Sequence, residues 1–197
     1  MSPSDEARLQ IFRDAGALLE GHFLLTSGLH SPRYLQCALL MQDPARAERL
    51  CRDLAQRFAD RKVTCVMGPA LGGIIVAHEL ARALGVKGLY AERENGKMAL
   101  RRGFGLSPGD RVLLVEDVVT TGGSLLEILA LVQAAGAGLA GVAALADRTS
   151  GRDPGLGMPL EALVKVDVPT YKAEECPLCR AGIPIVKPGS RATPGKA

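Results

Sequence analysis

Residues 111–124 read RVLLVEDVVTTGGS and pass from an apolar run into a loop of small polar residues. The apolar run, residues 112–115, predicts a buried strand, and the residues from Leu125 onward predict a helix. The loop between them is rich in glycine and hydroxyl groups, so its backbone can approach an anion while the first N–H groups of the helix point at it. The stretch therefore predicts a phosphate-binding turn between a strand and a helix.

Two carboxylates, Glu116 and Asp117, stand between the predicted strand and this loop. They would repel a phosphate, but they can accept hydrogen bonds from both hydroxyls of a sugar diol, with a metal ion nearby to balance the charge. A phosphate beside a diol describes a ribose 5-phosphate. The alternative is a strand with polar end residues and an ordinary helix cap. Neither a Walker A loop nor a GxGxxG fingerprint is present, so the common nucleotide and dinucleotide sites are not indicated.

Length and charge narrow the class of protein. The chain has 197 residues, enough for one α/β domain with a sizeable core. Its net charge of +3 comes from dispersed Lys and Arg residues, which local anion sites explain as well as nucleic acid would. Residues 1–10 contain no apolar signal segment, and no apolar run is long enough to span a membrane. We expect a soluble, cytoplasmic protein with no membrane or nucleic-acid partner.

Five cysteines are present, three of them in apolar surroundings, which favours reduced thiols over a disulfide framework. Cys176 and Cys179 form a single CxxC. A structural zinc site usually needs about four ligands, and no second CxxC or nearby histidine pair follows. Because His22, His30 and His78 lack metal-ligand spacing, we assign no metal ligands. A tight turn is expected at the CxxC; zinc shared across a dimer and a redox motif are the alternatives.

The first forty residues predict a helix and a hairpin. The helix is expected over residues 4–20, ending at Gly21. The hairpin strands, residues 23–25 and 34–36, flank the turn-rich residues 27–32.

The remaining chain alternates strands with helices, which is typical of a parallel sheet with right-handed crossovers. Strands are predicted at residues 63–67, 88–91, 111–116, 141–146 and 163–166, and helices at residues 44–59, 74–84 and 125–135. Ligands gather at the carboxyl ends of such strands. Residues 68–73 are glycine-rich and form either a second anion-binding turn or simply a structural turn. They should lie with the first loop and Arg148 at one rim of the sheet. Residues 92–110 are predicted to form a long connection, and residues 187–197 a frayed tail.

The string at residues 111–124 resembles the phosphoribosyl-pyrophosphate (PRPP) motif of type I phosphoribosyltransferases. Residues 21–36, GHFLLTSGLHSPRYLQ, are similar to the F-x-L-x-S-G-x-x-S-P-x-Y segment of orotate phosphoribosyltransferases, which builds a hood over the base. Further similarity lies at residues 68–70, in the basic loop after residues 92–93, and at residues 146–148, so it covers most of the chain.

The resemblance implies a single α/β domain over residues 1–197, with a mainly parallel central sheet flanked by helices and an N-terminal hood at about residues 1–42. It implies transfer of ribose 5-phosphate from PRPP to N1 of orotate, giving orotidine 5′-monophosphate and pyrophosphate in the synthesis of UMP. It also implies Mg²⁺ as cofactor, and a homodimer in which the loop at residues 92–105 reaches the neighbouring site.

Site residues follow from the same resemblance, position by position. Thr120 and Arg148 would contact orotate, and the guanidinium fork of Arg148 suits a carboxylate, although a surface salt bridge is its plainer role. Arg93 and Lys97 would meet the pyrophosphate, with Lys97 and Asp117 as catalytic residues. The ribose 5-phosphate would be held by Glu116, Asp117, Val118, Val119, Thr120, Thr121, Gly122, Gly123 and Ser124.

Some positions depart from the family pattern. Many members have Lys at the positions of Thr26 and Gly72, and Glu94 and Ala99 replace a Lys and a His of the mobile loop. Pyrophosphate contacts would then be redistributed, with Arg101 and Arg102 as candidates or as an ordinary solvated charge cluster. Two other functions remain as alternatives, a purine phosphoribosyltransferase and a non-catalytic PRPP-binding regulator. The hood segment and Arg148 count against the first, and the absence of a dedicated basic surface counts against the second.

Overall fold

The computed structural model of the protein describes residues 3–25 and 27–188. The strands are β1 (Leu18–Leu24), β2 (His30–Leu35), β3 (Cys65–Pro69), β4 (Lys87–Glu94), β5 (Lys97–Ala99), β6 (Arg111–Val119), β7 (Gly138–Asp147) and β8 (Leu160–Lys165). The helices are α1 (Pro3–Asp14), α2 (Ala38–Met41), α3 (Pro44–Ala55), α4 (Gly72–Leu84), α5 (Gly123–Ala134) and α6 (Pro177–Arg180), with 3-10 helices at Gln56–Arg61 and Ala173–Glu175. Thr26 and most of the predicted tail, residues 189–197, lie outside the described residues.

Six strands form one sheet in the order β5-β4-β3-β6-β7-β8. The pairs β3–β4, β3–β6, β6–β7 and β7–β8 are parallel, and only the edge pair β4–β5 is antiparallel. The predicted α/β fold with a mainly parallel sheet is therefore confirmed. Strands β1 and β2 pair separately as an antiparallel hairpin, also as predicted.

The sheet is buried between two apolar layers. Helices α1, α3 and α4 cover one face, with Phe12, Leu50 and Leu80 in that core, and α5 covers the other face with Leu125 and Ile128. Strand β6 lies at the centre, and its residues 112–115 have no exposed surface. This continuous apolar run is what a strand covered on both faces requires. No helix in the described ranges has the length and apolar content needed to cross a bilayer.

The predicted N-terminal helix is too long. Helix α1 ends at Asp14 because Gly16 adopts a φ of +67°, and the N–H of Ala17 then donates to the carbonyl of Phe12 at 2.8 Å. This arrangement is a glycine C-cap, and Gly16 serves in it rather than Gly21. Leu18, within the predicted helix, is buried but lies in strand β1.

The connection predicted over residues 92–110 is partly regular. Strand β4 continues to Glu94, and Asn95 and Gly96 turn the chain with φ angles of +51° and +82° into β5. An Asn-Gly pair with two positive φ angles suits a two-residue hairpin turn. Glu94 faces Lys97 in the register of this hairpin, and only residues 100–110 form an irregular loop. The other predicted elements are present, with ends shifted by a few residues.

Candidate active site

The loop at residues 120–122 joins the end of β6 to the start of α5. Gly122 has a φ of +78° and caps the helix, and a β-carbon there would lie 2.6 Å from Cβ of Pro154. Both the backbone angle and the close approach of Pro154 require glycine. Thr120 and Thr121 are exposed, and the first turn of α5 carries no acidic residue. The loop can therefore present backbone N–H and hydroxyl donors to an anion, as the sequence predicts.

The predicted PRPP residues do not all offer side chains. Val119 is fully buried in the core beneath α5, so only its backbone can face a ligand. Ser124 is half-buried and hydrogen-bonds to the carboxylate of Glu116. The motif thus combines a polar loop with an apolar anchor at the end of the strand.

Glu116 and Asp117 are two half-buried carboxylates next to each other. Burial, followed by repulsion from Asp117, raises the pKa of Glu116 to about 7, and the bond from Ser124 offsets part of the rise. Burial also raises the pKa of Asp117, although the backbone N–H of Val118 donates to its Oδ1 at 2.9 Å. Neither carboxylate has an ion-pair partner within the described chain. The pair can therefore accept hydrogen bonds from the hydroxyls of a ligand, or bind a cation, without displacing an ion-pair partner in the described chain.

The second glycine turn reaches the same carboxylates. A β-carbon at Gly72, the first residue of α4, would lie 2.7 Å from Oδ1 of Asp117. One at Gly73 would lie 2.7 Å from Cδ of Pro69, so this turn is also closely packed. The prediction that both glycine turns meet at one rim of the sheet is confirmed.

A cleft of about 410 Å³ lies between the hairpin and the end of β6. Its lining residues are Leu25, Ser27, Tyr34, Leu35, Asp117, Val118, Thr120 and Arg148. The structure thus brings together the two predicted orotate contacts, the predicted catalytic carboxylate Asp117 and part of the predicted hood.

Arg148 is held in this cleft by its backbone, whose N–H donates to the carbonyl of Val119 at 2.8 Å. Its side chain is half-buried, and its Nε is buried without a hydrogen-bond partner among the residues described. Burial lowers the pKa of Arg148, with Tyr34 acting in the opposite direction, yet a guanidinium remains charged at neutral pH. A buried donor of this kind calls for an anionic acceptor, and a planar carboxylate matches its fork.

The predicted pyrophosphate residues lie on the β4–β5 hairpin, at the sheet edge. Arg93 donates to both carboxylate oxygens of Glu127 on α5, at 2.7 and 3.0 Å. The side chain of Lys97 is exposed and makes no hydrogen bond or ion pair with the described residues. Their roles toward pyrophosphate stay predictions.

Two further arginines, in the loop that follows β5, are already paired. Arg101 lies 3.1 Å from Glu94, and Arg102 binds Glu92 through two bonds of 2.9 and 3.0 Å. Glu94, which departs from the family pattern, therefore neutralises a neighbouring cation.

One group of residues escaped the sequence analysis. His22, His30, Cys176 and Cys179 place their ligand atoms within 4.8 Å of one another. The two histidines lie eight residues apart, and the cysteines are more than 140 residues further along the chain. The predicted turn at residues 27–32 contained His30, whereas the observed strands β1 and β2 are longer and place His22 and His30 on facing strands. The CxxC forms the short helix α6 rather than a bare turn.

Comparisons with known proteins agree with this geometry. The family model of the phosphoribosyl transferase domain matches residues 40–163. A relative from Pelotomaculum thermopropionicum named orotate phosphoribosyltransferase is 58% identical over 92% of this chain and 95% of its own length. The crystal structure of orotate phosphoribosyltransferase from Aeropyrum pernix aligns with a TM-score of 0.63 and 26% identity, over 80% of this chain and 93% of that one. Adenine phosphoribosyl transferase from Trypanosoma brucei aligns with a TM-score of 0.66 and 20% identity, over 84% and 82% of the two chains, which indicates a shared fold only.

Proposed function

This chain belongs to the orotate phosphoribosyltransferase family, and we propose that it converts orotate and PRPP into orotidine 5′-monophosphate and pyrophosphate. The observation that carries this proposal is the guanidinium group of Arg148, a residue that lines the cleft together with Asp117 and whose buried Nε has no hydrogen-bond partner among the described residues. It supplies a site for the carboxylate that distinguishes orotate from purine bases and from uracil.

Orotate would lie between the hairpin and the end of β6. Tyr34 and Leu35 give this cleft apolar walls from the hood, and Thr120 offers a hydroxyl on the opposite side. With its carboxylate on Arg148, the base would present N1 toward the acidic pair. The reaction forms the bond from N1 to the anomeric carbon as the bond from that carbon to pyrophosphate breaks.

PRPP would occupy the rim formed by the two glycine turns. Its 5′-phosphate suits the donors of residues 120–124, and its ribose hydroxyls suit Glu116 and Asp117. As the bond to pyrophosphate breaks, positive charge develops on the ribose, and ionised carboxylates beside it lower the barrier. For this reason we retain Asp117 as a proposed catalytic residue.

The leaving group needs positive charge. Lys97 is the residue proposed to reach pyrophosphate, because its exposed side chain on the β4–β5 hairpin has no partner among the described residues. Closure of residues 92–105 over the site would also exclude water. Arg93 would have to exchange Glu127 for the ligand. Mg²⁺ is proposed as the cofactor. The unpaired carboxylates fit its charge, the oxygens of PRPP would hold it, and it would neutralise the departing pyrophosphate.

A homodimer is proposed as the working form. Leu71 and Ile75, at the start of α4, are 85% and 49% exposed, and Tyr90 and Phe104 line an apolar cleft beside Ile75. A second copy packed there would bring the β4–β5 hairpin near its partner's site. A cytoplasmic location is proposed because none of the five cysteines forms a disulfide.

The test follows the loss of orotate absorbance when PRPP and Mg²⁺ are added, with adenine, hypoxanthine and uracil as parallel substrates. We expect orotate consumption that depends on both PRPP and Mg²⁺, and little or no turnover of the other bases. Preferred turnover of a purine would contradict the base assignment. Binding of PRPP without turnover of any base would favour a regulatory protein.

A further inference from the structure

The cluster of His22, His30, Cys176 and Cys179 has no part in the proposed reaction. All four residues lie outside residues 40–163, the segment shared with the wider phosphoribosyl transferase domain. His22 lies in β1, and His30 is the first residue of β2. Cys176 is the N-cap of α6, and Cys179 lies within this helix. Two separate ends of the chain therefore meet at this cluster.

The distances within the cluster are close to those between the ligand atoms of a single metal ion. Nε2 of His22 lies 2.9 Å from Nδ1 of His30, 3.6 Å from Sγ of Cys176 and 3.7 Å from Sγ of Cys179. Sγ of Cys179 lies 3.2 Å from Nδ1 of His30. In a tetrahedral zinc site, Zn–N bonds of about 2.0 Å and Zn–S bonds of about 2.3 Å separate neighbouring ligand atoms by roughly 3.3–3.8 Å. The four distances lie within about 0.4 Å of these tetrahedral values, and all the ligand atoms lie within 4.8 Å of one another.

The ring of His22 is oriented to coordinate. Its Nδ1 lies 2.7 Å from the carbonyl oxygen of Ile183, and a carbonyl can only accept, so Nδ1 must carry the proton. In the neutral ring Nε2 then holds the lone pair, and it points at His30 and both sulfurs. A backbone carbonyl bound to the second ring nitrogen is the usual support of a metal-binding histidine.

Because these groups are buried, a shared cation would stabilise them better than hydrogen bonds among themselves. His22 is 3% exposed, His30 is 9% exposed and Cys176 is fully buried. A single lone pair on Nε2 of His22 cannot satisfy two thiols and a second imidazole at once, and buried polar atoms without partners are costly. One cation bound to all four satisfies each of them.

We propose that His22, His30, Cys176 and Cys179 bind one structural Zn²⁺ ion that fastens the C-terminal segment to the hairpin. Two sulfur and two imidazole ligands in tetrahedral reach favour zinc over the harder, oxygen-seeking cations. Four protein ligands leave no open position for a substrate, so the ion supports structure rather than chemistry. Cys179 is exposed and gives solvent access to the ion.

Backbone pairing on either side of the cluster indicates what the ion holds together. Val186 exchanges hydrogen bonds with Leu24 and His22, each at 2.8 Å, and Tyr171 exchanges bonds of 2.8 and 2.9 Å with His30. The ligand histidines thus lie beside the two places where the hairpin meets the C-terminal segment. Between them is the hairpin tip, whose residues Leu25 and Ser27 line the candidate orotate cleft.

The experiment measures metal in the full-length protein, purified without chelator from zinc-containing medium, by plasma mass spectrometry. We expect about one zinc ion per chain. Replacing the ion with Co²⁺ should give the visible absorption of tetrahedral cobalt together with thiolate charge-transfer bands. Both measurements are made without substrate, so their outcome does not depend on whether the proposed reaction is correct.

Variants assign the ion to its ligands. Cys179→Ser and His22→Gln should each reduce bound zinc at least about tenfold after dialysis against a weak chelator. Cys51→Ala and His78→Gln, which alter the same residue types outside the cluster, should keep the wild-type content. Circular dichroism checks that each variant is folded. Because a variant can fail to fold, the wild type is also stripped with a strong chelator. Its unfolding temperature should fall and return when Zn²⁺ is restored.

Three results would overturn the proposal. The first is wild-type protein that takes up neither Zn²⁺ nor Co²⁺ when each is offered in equal molar amount. The second is a Cys179→Ser variant that keeps full zinc content. The third is freshly purified protein in which Cys176 and Cys179 resist alkylation until a reductant is added, since this result would show a disulfide in place of a metal site.

Discussion

Gly72 and Asp117 are in direct contact: a β-carbon at position 72 would lie 2.7 Å from Oδ1 of Asp117 and 2.8 Å from its Cγ. Helix α4 begins at Gly72 and strand β6 carries Asp117, so this contact joins the two glycine turns of the proposed PRPP site. The carboxylate occupies the space that a side chain at position 72 would need.

Gly72→Ala should therefore displace the carboxylate of Asp117 while the fold persists, because the end of a side chain moves more easily than backbone. We expect the KM for PRPP to rise about tenfold, equivalent to about 1.4 kcal/mol of lost binding energy, with little change in the KM for orotate. Steady-state kinetics with each substrate varied in turn measure this. Gly109→Ala is the matched control, since a β-carbon at Gly109 meets no atom within 4 Å. An unchanged KM for PRPP in Gly72→Ala would separate this contact from substrate binding.

Glu116→Gln should change how stability depends on pH. The pKa of Glu116 is raised from 4.5 to about 7 in the folded protein, so the folded state binds more protons than the unfolded state between these values. The favourable contribution is complete below about pH 4.5 and is lost as pH rises through 7. The variant should lose this dependence and gain up to about 3 kcal/mol relative to wild type between pH 5 and pH 8. Urea unfolding at both pH values measures the difference, with Asp60→Asn as the exposed control. Equal pH dependence in variant and wild type would contradict the raised pKa.

Arg148→Met should weaken orotate binding selectively. Removing a charged, partly buried donor from a carboxylate costs about 1.5–3 kcal/mol, so the KM for orotate should rise about 10–100-fold while PRPP affinity is retained. Arg152→Met changes an exposed arginine on the adjacent loop, whose Nε donates to the carbonyl of Thr149, and it should leave both values unchanged. If both variants lose orotate affinity equally, Arg148 has no specific role in base binding.

Lys97→Ala should act on turnover rather than on binding. If Lys97 neutralises the leaving pyrophosphate, its loss lowers kcat by about 10²–10³-fold and leaves orotate affinity nearly unchanged. Arg101→Ala removes a cation from the same region, but one already paired with Glu94. The arginine variant should therefore lose much less activity. An unchanged kcat in Lys97→Ala would remove this residue from the mechanism.

Local sequence signals predicted most of the fold and part of the site. The helix start at residue 44, the apolar run before Glu116 and Asp117, and the glycine turns depend on neighbours in the chain, and all are present. The hairpin followed from the turn-rich residues 27–32 between two apolar segments. The convergence of Arg148 with the acidic pair followed from topology, because carboxyl ends of parallel strands share a rim.

What the sequence could not predict depends on distant contacts. Gly16 and Gly21 are both plausible helix ends by residue type, and only the backbone angle at Gly16 decides between them. The pairing of His22 with Cys176 spans 154 residues, so no local spacing rule could detect it. The ion pairs of Arg93 and Arg101 similarly depend on which side chains the hairpin brings together.

The meeting of the hairpin with the last described residues has a consequence for the order of folding. A ribosome makes the hairpin within the first forty residues of this sequence, but its partners at residues 171–186 are made more than 130 residues later. The PRPP rim, at residues 68–73 and 116–124, needs none of these late residues. Contacts between distant parts of a chain form late because closing a long loop costs entropy. We therefore expect the phosphate cradle to form before the base cleft, which needs the C-terminal segment to close on the hairpin.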